Sequence, residues 1–235
     1  MKKYVIGNWK CHKGVAEARR WMAEFARQYR PVEGLQIIVA PSFICLQDLS
    51  QYVKTLDLEN LSLAAQDISP YPKGSYTGAV AADMVRELVD YVIIGHSERR
   101  RYFYETDQDI ARKMSETVDA GLIPIVCVDQ PYAKSQLLAL NHIDSKELII
   151  AYGPVEAMTV RIPEPPIKAA ETARLISGSI QSGRPVVYGG SLGPDNVKEY
   201  VHMPELAGLF VGEASLDVAS FLAICEQMAG AMEKK

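Results

Sequence analysis

Short apolar runs rich in valine and isoleucine alternate along the chain with longer stretches in which apolar residues return every three or four positions. The runs are Tyr4–Ile6, Leu35–Ala40, Leu61–Ala65, Tyr91–Ile94, Leu122–Val126, Leu148–Ala151, Val186–Tyr188 and Gly208–Val211. Runs this short and this continuous predict strands buried on both faces, each followed by room for a helix. Spread over 235 residues, eight units take about 29 residues each, the spacing of a closed (β/α)₈ barrel. Helical periodicity is clearest over Glu17–Tyr29, where Trp21, Met22, Phe25 and Ala26 share a face, over Asp107–Ala120 and over Ser215–Met228. Pro165 and Pro166 suit the first turn of a helix reaching about Ile180. Between the fifth and sixth runs, Gln130–Lys146 leaves space for one short helix around Ala133–Leu140. No linker or charge run divides the chain, so one domain over residues 1–235 is expected. An open, doubly wound sheet alternates strands and helices as well, and periodicity alone does not separate the two.

Composition narrows the function classes. Hydrophobic residues make up 48% and charged residues 23%, with a net charge of −4, ordinary for a globular α/β domain. No basic field would attract nucleic acid or an anionic membrane surface, so neither partner is expected. Cys11, Cys45, Cys127 and Cys225 are widely spaced, without a CxxC pair, which predicts buried reduced thiols. His12, His142 and His202 have no ligand-spaced neighbours of the kind zinc needs, and neither metal nor cofactor is expected. The N-terminal apolar run is interrupted by Asn8 and Lys10, unlike a signal peptide or membrane span, so a cytoplasmic location is expected.

In barrels of this kind the working groups lie where strands end and in the loops that follow. The first strand ends Gly7-Asn8-Trp9-Lys10, the fourth ends Gly95-His96-Ser97-Glu98-Arg99-Arg100, and the seventh ends Tyr188-Gly189-Gly190-Ser191. With the third loop, Ala65–Pro70 followed by Gly74–Gly78, these strings resemble the triosephosphate isomerase family along the whole chain. The resemblance implies a TIM barrel rather than an open sheet. It also implies interconversion of dihydroxyacetone phosphate and glyceraldehyde 3-phosphate by proton transfer, and a homodimer formed through the loop Gly74–Gly78, with Thr77 at its tip.

The resemblance assigns roles that the residues alone leave open. Lys10 would set its ammonium beside the substrate phosphate and the developing enediolate, with Asn8 nearby; by itself, a lysine after a strand is as well read as a solvated loop charge. His96 would polarise the substrate carbonyl as a neutral imidazole at a helix start supplied by Ser97, the family being the standard example of such tuning; by itself it reads as a satisfied core histidine. Glu98 would pair with Lys10, or alternatively with Arg99 and Arg100 at the surface. Gly190, Ser191 and Gly212 would bind phosphate through backbone N–H groups.

Four positions depart from the family pattern. The family's Ala-Tyr-Glu-Pro-Val-Trp is Ala151-Tyr152-Gly153-Pro154-Val155-Glu156 here, so the residue that would abstract the proton has no side chain. The lid's Gly-Thr-Gly is replaced by Thr159-Val160-Arg161, a Gly-Glu after the fifth strand by Asp129-Gln130, and a phosphate-loop glycine by Glu213. Weak or absent isomerisation is therefore expected. One alternative is a non-catalytic binding or regulatory paralogue. Another is an isomerase of a different small carbonyl substrate, using Glu156 or Glu213 as its acid or base. The partner expected in every case is a small phosphorylated or carbonyl metabolite.

Overall fold

The computed structural model describes residues 2–56, 58–141, 143–179 and 183–233. Eight parallel strands close on themselves in sequence order: β1 (Lys3–Asn8), β2 (Leu35–Ala40), β3 (Leu61–Ala65), β4 (Tyr91–Ile94), β5 (Ile123–Val128), β6 (Ile149–Tyr152), β7 (Val186–Tyr188) and β8 (Gly208–Val211). The helices among the described residues are α1 (Val15–Gln28), α2 (Phe43–Val53), α3 (Ala82–Val85), α4 (Ser97–Tyr102), α5 (Asp107–Asp119), α6 (Ala133–Leu138), α7 (Val155–Val160), α8 (Pro166–Ser179) and α9 (Val218–Glu233). This is the (β/α)₈ barrel expected from the strand spacing.

Alternation along each strand splits its side chains between two cores. Ile6, Ile38, Ile93, Ile125, Ala151 and Val187 belong to the cluster that fills the barrel. Val5, Ile37, Val92, Val126, Ile150 and Val186 belong to the larger cluster under the helices. Both sets are apolar, which is why every strand reads as a continuous run. Closure falls between β8 and β1, where Gly208 is paired with Tyr4. The Tyr4 backbone runs so close that any Cβ at position 208 would collide with its carbonyl, so the seam needs a glycine there.

Helix α1 buries Ala18, Trp21, Met22 and Phe25, and Trp21 meets Trp9 edge-on with ring centroids 4.8 Å apart. Helix α5 starts with a capping box in which Thr106 and Asp109 satisfy each other's backbone N–H groups. Several boundaries differ from the sequence reading. The last helix begins at Val218 rather than Ser215, because Glu213–Ser215 form a separate 3₁₀ turn. The short helix after β5 stops at Leu138. Helix α2 was not singled out by periodicity, since Phe43, Ile44, Cys45 and Leu46 are consecutive rather than spaced. The stretch expected to be an altered lid loop is helix α7. Cys11 is exposed, whereas Cys45, Cys127 and Cys225 are buried as expected. His142 and the expected helix end at Ile180 lie outside the described residues. No helix among the described residues is long and apolar enough to cross a membrane.

Candidate active site

Where β1 ends, the chain makes a tight turn that aims Lys10. Its φ is +51°, a conformation rare outside glycine and one that surrounding contacts must hold. Two buried-side anchors do so. The Lys10 N–H donates to Asn8 Oδ1 at 3.0 Å, and Gln66 Nε2 donates to both the Lys10 and Ala40 carbonyls at 2.8 Å. Held this way, Lys10 Nζ lies 2.5 Å from Glu98 Oε1, and its side chain runs along Gly212, where an added Cβ would be 3.5 Å from Lys10 Cε. Arg99 and Arg100 are engaged elsewhere, Arg99 with Asp67 and Glu105, and Arg100 with Asp107.

His96 caps the N-terminus of α4, its Nδ1 accepting the Glu98 backbone N–H at 3.2 Å. A ring nitrogen that accepts is unprotonated, so the proton of the neutral ring sits on Nε2. Burial pulls the imidazole pKa down to about 4; the charges of Lys10 and Arg99 push the same way and Glu98 opposes them. At neutral pH His96 is therefore a neutral hydrogen-bond donor. Ser97 is the first residue of α4.

Lys10, His96 and Ser97 line one cavity of about 610 Å³ at the C-terminal end of the barrel, the size of a small-molecule site. Gly153 lines it too. Its N–H donates to the Val128 carbonyl at 3.0 Å, so the backbone continues the β6 ladder, and the space beside its Cα is taken by Met158. An added Cβ would stand 3.6 Å from Met158 Cε and 3.0 Å from the Gly189 carbonyl oxygen.

Helix α7 occupies the place of the lid. Ser191 Oγ donates to the Ala157 carbonyl at 2.9 Å. Farther along, buried Glu164 is held by the Tyr152 hydroxyl at 2.9 Å and by its own N–H donating to the Tyr188 hydroxyl at 2.8 Å. Arg161 ends the helix in the left-handed region, with φ +56°, and lines the cavity.

The remaining residues singled out by sequence are distributed unevenly. Ser191 and Gly212 line the cavity and Gly190 does not; Gly190 is instead pressed against the Tyr188 ring and hydroxyl. Asn8 is buried beneath the Lys10 turn rather than at the cavity wall. Glu156, offered above as a substitute base, is exposed on α7 and is not among the lining residues, because the first turn of the helix carries it outward. Glu213 does line the cavity, with Asp195 and Asp217, so three carboxylates stand near the glycines that would receive a phosphate. Asp129 lines the cavity as well. It stands where the family pattern has Gly-Glu, a departure with no role assigned from sequence. Its signal was the alternation Ile125, Cys127, Asp129, which points every second residue of β5 inward. Gln136, which positions the carboxylate here, lies in no quoted motif, and Gln66, which holds the Lys10 backbone, lies in the third-loop string without a role of its own.

A family model described as triosephosphate isomerase matches residues 3–228. A triosephosphate isomerase of Thermodesulfovibrio yellowstonii is 36% identical, covering 95% of this chain and 98% of its own length. The triosephosphate isomerase of Polynucleobacter asymbioticus is 34% identical with 94% and 98% covered, and that of Dehalococcoides mccartyi 36% identical with 97% and 98% covered. With the closed barrel, the Lys10 turn and the capped His96, these matches place the chain in the triosephosphate isomerase family.

Proposed function

We propose that this chain retains the carbonyl-polarising half of the family reaction and is a poor triosephosphate isomerase. Aldose–ketose isomerisation needs a base that removes the proton from the carbon next to the carbonyl, and an electrophile that carries the charge arriving on oxygen. The Nε2–H of His96 and the Lys10 ammonium are suited to the second task. The observation that carries the proposal is Gly153 at the end of β6, with Met158 beside it in place of a carboxylate. General acid/base catalysis contributes about 10² to 10⁴ in rate, and a loss of that size is expected here. The carboxylates of Asp195, Glu213 and Asp217, which line the cavity with Lys10, Arg100 and Arg161, weaken its attraction for phosphate. The substrate class that suits the cavity is a small hydroxycarbonyl compound.

The test is a steady-state assay of dihydroxyacetone phosphate and glyceraldehyde 3-phosphate interconversion beside the Polynucleobacter asymbioticus relative, with phosphate binding followed by calorimetry in the same preparation. Turnover about 10² or more below the relative supports the reading. Turnover equal to the relative's sinks it.

A homodimer through Gly74–Gly78 forms part of the same proposal. That loop is exposed throughout, and Tyr71 and Tyr76 stack at its base with centroids 4.7 Å apart, a rigid aromatic protrusion suited to insertion into a partner. Sedimentation equilibrium giving a monomer at micromolar concentration would remove it.

A further inference from the structure

We infer that Asp129 is the base of this site, displaced by one strand from position 153, and that it takes the proton from the carbon next to the carbonyl of a small hydroxycarbonyl compound. The inference rests on the proposed carbonyl-binding role of Lys10 and His96.

Register carries the argument. Strands β5 and β6 pair Ile125 with Ile149, Cys127 with Ala151 and Val128 with Tyr152. The ladder extends one step farther, because the Gly153 N–H donates to the Val128 carbonyl. Ile125, Cys127, Ile149 and Ala151 all face the barrel interior. With a side-chain period of two, Asp129 and Gly153 are the next inward pair, on neighbouring strands about 4.8 Å apart. The carboxylate therefore enters the cavity beside an inward position that has no side chain. Both residues line that cavity, together with Lys10 and His96.

Second, the carboxylate is oriented. The Asp129 N–H donates to Gln136 Oε1 at 3.1 Å, and Gln136 Nε2 donates back to Asp129 Oδ1 at 2.9 Å. Gln136 is buried on α6, so this two-point clamp fixes one oxygen and leaves Oδ2 to act. The Cys127 thiol, one layer below, has its pKa pushed up to about 12, chiefly by burial, and the Asp129 charge acts in the same direction.

In the step itself, Asp129 accepts the proton and becomes a neutral carboxyl group. The electron pair of the broken C–H bond forms the carbon–carbon double bond of an enediolate, and the carbonyl π pair moves to oxygen. The His96 Nε2–H and the Lys10 ammonium stabilise that oxygen. Return of the proton to the carbon it left regenerates the carbonyl compound and the carboxylate, and in heavy water that carbon receives deuterium instead.

The experiment incubates the full chain with dihydroxyacetone, and separately with dihydroxyacetone phosphate, in heavy water. Loss of the proton signal next to the carbonyl is followed by nuclear magnetic resonance, and binding by the shift of the His96 ring resonances. Exchange above the solvent background is expected in the unaltered protein. It should fall on the order of 10²-fold in Asp129→Asn, which keeps both contacts to Gln136, persist in part in Asp129→Glu, and stay unchanged in the exposed-residue control Glu156→Gln. Binding without exchange, or exchange untouched by Asp129→Asn in a protein that still melts cooperatively, overturns the assignment while leaving the carbonyl-binding reading intact. No His96 shift with either compound overturns that reading, and the assignment with it.

Discussion

The backbone N–H of Glu98 donates to Nδ1 of His96 across 3.2 Å, while the side chain of the same Glu98 reaches Lys10 Nζ at 2.5 Å. One residue thus fixes the tautomer of the imidazole through its main chain and the place of the ammonium through its carboxylate. Since α4 begins at Ser97, both contacts depend on a single helix start. Replacing Glu98 by Gln keeps the first and weakens the second, so the His96 tautomer should survive while Lys10 loosens. Nitrogen-15 resonances of the two ring nitrogens, together with ligand affinity, read these effects separately.

The depressed pKa of His96, about 4, sets a pH dependence. Between the ordinary histidine value of about 6.5 and the folded value, the unfolded chain binds a proton that the folded chain does not. Stability from this group is therefore complete above pH ~6.5, declines as the pH falls toward 4, and levels off below. A titration of the ring resonances should give a midpoint near 4, and denaturant melts should show stability rising with pH across that window. A midpoint near the unperturbed value would show that the ring is solvated and charged in weak acid.

Gly153→Glu should raise triosephosphate turnover, but only in part. Its Cβ would stand 3.0 Å from the Gly189 carbonyl oxygen and 3.6 Å from Met158 Cε, so the new side chain must displace Met158. Pairing Gly153→Glu with Met158→Ala should yield more activity than Gly153→Glu alone, on the order of tenfold more if misplacement of the base is the limit. Equal rates in the two variants would mean that Met158 is no obstacle.

Glu213→Gly removes one carboxylate from the rim beside Gly212. Inorganic phosphate affinity measured by calorimetry should improve by about tenfold or more at low salt, and the gain should shrink as salt is added, because screening weakens the Glu213 repulsion. Unchanged affinity would place the Glu213 charge out of reach of the anion.

Stability depends on a buried ionic cluster whose members do not line the cavity. Lys113, buried on α5, donates to Asp67 at 2.6 Å and to Glu105, and Arg99 joins the same two carboxylates. Lys113→Met leaves two buried carboxylates with only Arg99 between them, which should cost about 3 to 5 kcal/mol. Chemical denaturation reads the loss directly, and a change below about 1 kcal/mol would mean that water enters to replace the ammonium.

The barrel was legible in the sequence because each strand is buried on both faces, so Ile37–Ala40 and Val92–Ile94 are apolar at every position, and eight such runs leave few other folds. The strand-end strings carrying Lys10 and His96 were legible only through their resemblance to the family, since by themselves a lysine after a strand and a histidine ending one are as well read as a loop charge and a core residue. What sequence could not decide is which side chains converge across strands far apart in the chain. Glu156 lay nearest the vacant position in sequence, yet the first turn of α7 carries it outward. Asp129, separated from Gly153 by a helix and a whole strand, stands beside it because parallel register and a side-chain period of two bring them to the same layer. Pairing between strands is a long-range hydrogen-bond constraint that leaves no local trace in residue order, so the neighbours of Gly153 were decided by closure of the barrel alone.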